Sequence, residues 1–102
     1  GIFCPLNDDV NMFMLTDVMF FAKYPLIIVT SSGLGSINSA VLTALYAKSL
    51  GLEVQGFIMN YFEEDNILHQ DNRRMIEKLS GYQVLGYLGK NSDKINNFLQ
   101  IY

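Results

Sequence analysis

The sequence holds one cysteine, one histidine and no tryptophan among its 102 residues. A lone cysteine excludes an internal disulfide and points to a reducing compartment, so a cytoplasmic location is expected. Cys4 and His69 lie far apart in the chain and give no zinc site, because zinc needs several sulfur or nitrogen ligands. Positive charge is also scarce. Seven Lys and Arg stand against ten Asp and Glu, for a net charge of −3. Such a surface does not attract a phosphodiester backbone, so no nucleic-acid partner is expected. The only basic cluster, Arg73-Arg74 with Lys78, has Glu77 inside it and reads as a solvated helix face. Long apolar runs are missing as well. The longest covers residues 18–29, is interrupted by Lys23 and is too short to span a bilayer. No signal peptide is visible, and no membrane association is expected.

What is present is apolar. Half of the residues are hydrophobic and 17% are charged. A short chain has a large surface for its volume, so either its core is unusually complete or something else covers part of its apolar surface. A doubly wound α/β domain usually needs more residues than these. The chain opens abruptly with Gly1-Ile2-Phe3-Cys4-Pro5 and reads as a fragment or trimmed product of something longer.

Residues 1–11 carry Pro5 and the polar run Asn7-Asp8-Asp9 and read as loop. Residues 12–22 are apolar on nearly every side, which describes a helix that is buried or sits in an interface. Pro25 then opens Leu26-Ile27-Ile28-Val29-Thr30, a continuous run expected to form a central parallel strand covered on both faces. Residues 36–51 fit a helix, with Ser36 as its cap, Gly51 as its end, and Ile37, Val41, Ala44, Leu45 and Lys48 at helical spacing. A second strand is expected over residues 53–60. A polar irregular stretch follows over 61–70, then a helix over 71–80 with Met75, Ile76 and Leu79 inward and Gly81 ending it. Residues 83–88 read as a third strand, 89–91 as a turn and 92–102 as a last helix with Ile95, Phe98, Leu99 and Tyr102 on one stripe. This alternation predicts right-handed βαβ crossovers and a parallel sheet. Three strands make a thin sheet, so an incomplete one is expected.

In an open parallel sheet, ligands bind beyond the carboxyl ends of the strands. The first such end is Ser31-Ser32-Gly33-Leu34-Gly35-Ser36-Ile37-Asn38. Its two glycines allow a tight turn that exposes backbone N–H groups. The helix beginning near Ser36 aims its free N–H groups and positive dipole end at the same spot, which suits a carboxylate or a phosphate. The same pattern fits an ordinary βα turn. It is not a P-loop, since the Gly-Lys-Ser/Thr ending is absent, and it is a poor dinucleotide fingerprint, with Asn38 in place of the third glycine. At the second strand end, the Asn60 amide both donates and accepts, which suits the edge of an adenine ring; Asn also commonly ends a strand and turns the chain. His69, within a polar stretch, is expected to be solvated and is given no role. Glu63-Glu64-Asp65 reads as a solvated charge run. Asp8 and Asp9 suit either water-mediated Mg²⁺ binding or helix capping.

Several segments, taken in order and spacing, resemble dethiobiotin synthetase. They are Phe3-Cys4-Pro5-Leu6-Asn7-Asp8-Asp9, Tyr24-Pro25-Leu26-Ile27-Ile28-Val29, Gly33-Leu34-Gly35-Ser36-Ile37-Asn38, Gly56-Phe57-Ile58-Met59-Asn60 and Leu79-Ser80-Gly81-Tyr82-Gln83-Val84-Leu85-Gly86. The resemblance covers roughly residues 1–90. It implies an α/β, parallel-sheet P-loop NTPase-like fold, with residues 1–102 as the C-terminal part of a single domain. It implies a homodimeric ligase of biotin biosynthesis that uses ATP and Mg²⁺ to make dethiobiotin from 7,8-diaminopelargonate and CO₂. The diamine is carboxylated, the carbamate is phosphorylated, and the second amine expels phosphate as the ring closes. By resemblance, Gly33, Leu34, Gly35, Ser36, Ile37 and Asn38 receive the carboxylate tail of diaminopelargonate across the dimer interface. Asn60 meets the adenine, and Val84, Leu85, Gly86 and Gly89 complete the nucleotide pocket. No catalytic residue is assigned within this chain.

Departures from the family pattern accompany the match. The phosphate-binding loop with its lysine, and the acidic metal ligand of a Glu-Gly-Ala-Gly-Gly segment, are not in this sequence; Gly1 stands where that segment would end. Mg²⁺ ligands are therefore expected in an N-terminal part, and this chain alone is expected to be inactive. Ser39 stands where the family often has His, and Gly89 where it often has Pro. Two further readings fit parts of the pattern. A cobyrinate amidase-type ATP-dependent ligase shares the strand–Gly–helix layout, but the loop at 33–38 speaks against it. A non-catalytic remnant or oligomerisation module would keep the fold without the chemistry.

Overall fold

The computed structural model describes residues 5–6, 14–33, 35–90 and 94–97. Its elements run α1 (Leu15–Ala22), β1 (Leu26–Ser31), α2 (Ser36–Ser49), β2 (Val54–Asn60), α3 (Ile67–Ser80), β3 (Val84–Leu88) and β4 (Ile95–Asn97). Cys4, the Asp8–Asp9 pair, Leu34 and most of the last expected helix lie outside the described residues.

The β-branched run at Ile27, Ile28 and Val29 favours extended backbone, and β1 pairs in parallel with β2, with Ser31 opposite Asn60. β2 pairs in parallel with β3, giving the order β1-β2-β3-β4. The two crossovers between neighbouring strands put α2 and α3 in contact on the same face of the sheet. There Ala40 and Ala44 of α2 and Ile76 of α3 form one buried cluster with Phe57, Met59, Val84 and Tyr87. Burying a side chain such as Phe57 or Ile76 stabilises the fold by about 1.5–3 kcal/mol each.

The strand–helix alternation of the sequence is present up to β3, and the fold class is α/β with an incomplete, mostly parallel sheet. Four expectations are corrected. First, β1 is not a central strand. Among the described residues it is an edge strand with one neighbour, and Ile27 and Val29 are 52% and 63% exposed. A continuous apolar run records what a strand's two faces require, and the described residues cover only one of them.

Second, residues 95–97 form a strand antiparallel to β3, not a helix. Asn96 and Asn97 are weak helix formers. Gly86 lets this strand approach, because a Cβ there would lie 2.5 Å from the Asn96 carbonyl oxygen.

Third, α3 starts at Ile67, earlier than expected, because Asn66 caps it: its Oδ1 accepts the His69 N–H at 3.3 Å. Its inward residues also differ. Ile76 is buried, but Met75 and Leu79 are exposed, and the rest of the inner face is His69, Asn72 and Ser80.

Fourth, α2 buries Ser36, Ala40, Ala44 and Ala47, while Leu45 and Lys48 face out. Small side chains line the side where helix and sheet approach, and larger ones are left outside. Ser36 does not cap α2. The N-cap is Gly35, which has no side chain to do so.

Among the described residues, no helix is long and apolar enough to cross a membrane.

Candidate functional site at the carboxyl edge of the sheet

The three parallel strands end side by side. β1 ends at Ser31 opposite Asn60, the last residue of β2, and the Phe62 N–H bonds the Leu88 carbonyl at the end of β3 at 2.9 Å. This edge therefore gathers Ser32, Gly33 and Gly35, then Asn60 and Tyr61, then Gly89. The Ser32 hydroxyl ties the first two groups together by donating to the Asn60 carbonyl at 2.8 Å.

The turn into α2 is built by Gly35, whose φ of 87° is a left-handed conformation that costs an L side chain about 1–2 kcal/mol. Gly35 is the N-cap and makes no side-chain cap, so the first-turn N–H groups of α2 have no capping side chain. The Ser36 hydroxyl instead donates to the Gly33 carbonyl at 2.7 Å, which tightens the turn from within. The Gly33 carbonyl accepts the Ser36 N–H at 3.3 Å; the remaining first-turn donors have no side-chain acceptor and, with the positive dipole end, make a local environment suited to an anion. Ile37 is half-buried and Asn38 exposed on the same first turn.

Asn60 is half-buried. Its Oδ1 accepts the N–H of Tyr61 at 3.0 Å, and Tyr61 itself has a left-handed φ of 56°. The Asn60 amide N–H₂ donates to nothing among the described residues. Asn60 thus both turns the chain and keeps a free donor at the strand edge.

The other nucleotide candidates are spread along β3. Gly89 lies beyond its carboxyl end. Val84, Leu85 and Gly86 lie towards its start, where Val84 pairs with Phe57 rather than Asn60. Val84 is fully buried and its N–H donates to Glu77 Oε2 at 2.8 Å, so Glu77 belongs to the fold as well as to the charged helix face.

Two further polar residues, His69 and Asn72, have roles that the sequence does not announce. His69 is 9% exposed, not solvated: Nδ1 accepts the Glu63 N–H at 3.0 Å, and the ring packs on Phe62. Phe62 in turn packs on Tyr87 with ring centroids 4.8 Å apart, and the Tyr87 hydroxyl donates to Glu64. Asn72 is 5% exposed, and its Nδ2 donates to the carbonyls of Ser32 at 3.0 Å and Gly33 at 3.2 Å. The available signal was spacing. His69, Asn72, Ile76 and Ser80 lie on one helical face, and any polar residue sharing a face with Ile76 must find a partner.

A cavity of about 210 Å³ lies at the opposite edge of the sheet, bounded by Met19, Tyr24, Leu52 and Glu53. It is remote from the strand ends that carry the polar groups. Among the described residues, no group of three or more His, Cys, Asp or Glu could hold a metal ion.

Comparison with known proteins adds the lineage. A family model described as an AAA domain matches residues 5–97. The chain is 40% identical over 93 residues to an ATP-dependent dethiobiotin synthetase of Clostridium perfringens, covering 91% of this chain and 41% of that protein. It is 44% identical over 87 residues to the synthetase of Brachyspira hyodysenteriae, covering 84% of this chain and 39% of that protein. With the synthetase of Clostridium botulinum the identity is 43% over 84 residues, covering 82% and 37%. The chain spans about two-fifths of the length of the curated relatives it matches. It therefore belongs to this AAA-domain family, with the P-loop NTPase-like α/β architecture, and over most of its length it is similar to part of the ATP-dependent dethiobiotin synthetases.

Proposed function

We propose that this chain is the C-terminal part of an ATP-dependent dethiobiotin synthetase, in which it supplies the contacts to the substrate carboxylate and to adenine. The observation that carries this reading is the uncapped start of α2 at Gly35, linked through Ser32 to the end of β2 at Asn60. One edge then offers an anion site and a base-reading amide side by side.

In this reading the backbone N–H groups of residues 33–38 bind the carboxylate tail of 7,8-diaminopelargonate. The two amines are thereby held at a fixed distance from the phosphates, and positioning of that kind supplies much of the catalysis in phosphoryl transfer. The Asn60 amide holds the adenine edge, with Gly89 beside it at the end of β3; Val84, Leu85 and Gly86 support that strand from its start. CO₂ enters as the second substrate. Mg²⁺ would neutralise the phosphates in such a reaction. The described residues offer no ligand cluster for it, and no step through the metal is derived from this chain.

The reading includes a homodimer. The apolar residues on the outer sides of α2 and α3, Leu42, Leu45, Met75 and Leu79, support a contact surface on that face. It also includes a cytoplasmic setting, which suits a chain with one cysteine.

The test is dethiobiotin formation from diaminopelargonate, CO₂ and ATP by the full-length polypeptide that carries this chain. That polypeptide is expected to turn over. The 102-residue chain, whose sequence has no Gly-Lys-Ser/Thr loop, is expected not to. Turnover by the short chain, or none by the full-length polypeptide, contradicts the proposal.

A further inference from the structure

We infer that Asn72 of α3 is a positioning residue for the carboxylate loop, and that it sets the preference for substrates bearing a carboxylate tail. The inference rests on the reading of residues 33–38 as the carboxylate site.

A carboxylate carries only acceptors, so every backbone carbonyl facing it repels it. A loop that binds one must present N–H groups and turn its carbonyls away. Ahead of the turn, the carbonyls of Ser31, Ser32 and Gly33 each have a partner. Ser31 accepts the Thr30 hydroxyl at 3.3 Å. Gly33 accepts the Ser36 hydroxyl at 2.7 Å and the Ser36 N–H at 3.3 Å. Both Ser32 and Gly33 accept Nδ2 of Asn72, at 3.0 and 3.2 Å. Every other donor in this set is local to the loop. Asn72 instead reaches in from a distant element and holds two of these carbonyls at once.

The consequence for the donors follows from peptide geometry. The peptides are trans, so C=O and N–H point to opposite sides of each unit. With the Ser32 carbonyl drawn towards α3, the Gly33 N–H points away from α3, and among the described residues it donates to nothing. Asn72 is 5% exposed, so water has little access to replace it. Asp at this position would meet two carbonyls with acceptors only, and would place a negative charge behind an anion site. Both effects should rotate the Ser32–Gly33 peptide and bring a carbonyl towards the substrate.

The experiment compares two substrates in the full-length enzyme: diaminopelargonate, and a diamine of the same length ending in a methyl group. The readout is the ratio of their kcat/KM values in the wild type and in N72D and N72L. In the wild type the carboxylate-tailed substrate is expected to be preferred. In both variants that preference is expected to fall about tenfold through the KM of the tailed substrate, while the KM for ATP stays within about twofold.

A residue that only stabilised the fold would lower both substrates alike. An unchanged ratio in a folded variant therefore overturns the inference. N72L carries the comparison if N72D does not fold, and failure of both to fold assigns Asn72 a structural role and overturns it too. A wild type that shows no preference for the tail indicts the carboxylate-site reading itself, a separate result.

Discussion

The two long helices are equal in length and opposite in design. α2 and α3 each have 14 residues and lie against each other on one face of the sheet. α2 starts at a glycine with no side-chain cap and buries mainly alanine. α3 starts at Asn66, whose side chain closes the helix end, and buries a histidine, an asparagine and a serine beside Ile76. A helix whose own cap satisfies its first turn has little to offer a ligand. A helix that leaves the turn open needs a neighbour to keep that loop in shape. α3 does this through Asn72, and its closed start and polar inner face support the open start of α2.

The largest effect that would break this contrast lies in the shared core. Ile76→Ala should destabilise the full-length protein by about 2–5 kcal/mol, since the residue is fully buried where α3 meets α2 and the sheet. Denaturant unfolding reads this directly, and a loss below about 1 kcal/mol would mean that the helices do not share that core.

At the open start, Gly35→Ala should cost about 1–2 kcal/mol of stability because φ is 87° there. It should also raise the KM for the carboxylate substrate about tenfold, and steady-state kinetics separates the two effects. At the closed start, Asn66→Ala should cost about 1 kcal/mol with substrate KM values unchanged, because the cap is structural. An equal change in KM for both variants would erase the distinction between the two starts. The smallest effect is expected on the outer face of α3. Lys78→Ala should shift stability by no more than about 0.5 kcal/mol, because the side chain is exposed. A much larger loss in the full-length protein would show that the face is covered there.

Legibility in the sequence followed the same division. Strands β1 to β3 and the glycine turn were readable because β-branched runs and paired glycines act locally. The open start of α2 was also readable, although Ser36 looked like its cap; only the placement of its hydroxyl against Gly33 shows otherwise. The closed start was not readable. Asn66 sits in a polar stretch that resembles loop, and the cap appears only when its Oδ1 is seen on the His69 N–H.

Burial was misread on both helices for one reason. Met75 and Leu79 read as inward and Leu45 as part of an apolar side, yet the inner faces are taken by small or hydrogen-bonded residues. An apolar side chain reports that it is favoured out of water, not which neighbour covers it. The same reasoning placed β1 in the centre of a sheet where it is an edge. Residues 95–97 failed differently. Helical spacing was present, but pairing with the exposed edge of β3 at Gly86 prevailed over it.

The central claim is that one edge of this chain holds two separate ligand contacts, the carboxylate at Gly35 and the adenine at Asn60. Calorimetric titration of the full-length protein and its Gly35→Ala and Asn60→Ala variants with diaminopelargonate and with ATP tests it most directly. The prediction is a crossed pattern. Gly35→Ala weakens diaminopelargonate about tenfold and leaves ATP within about twofold, and Asn60→Ala does the reverse. If both variants weaken both ligands alike, or neither ligand responds, the edge is not the two-part site described.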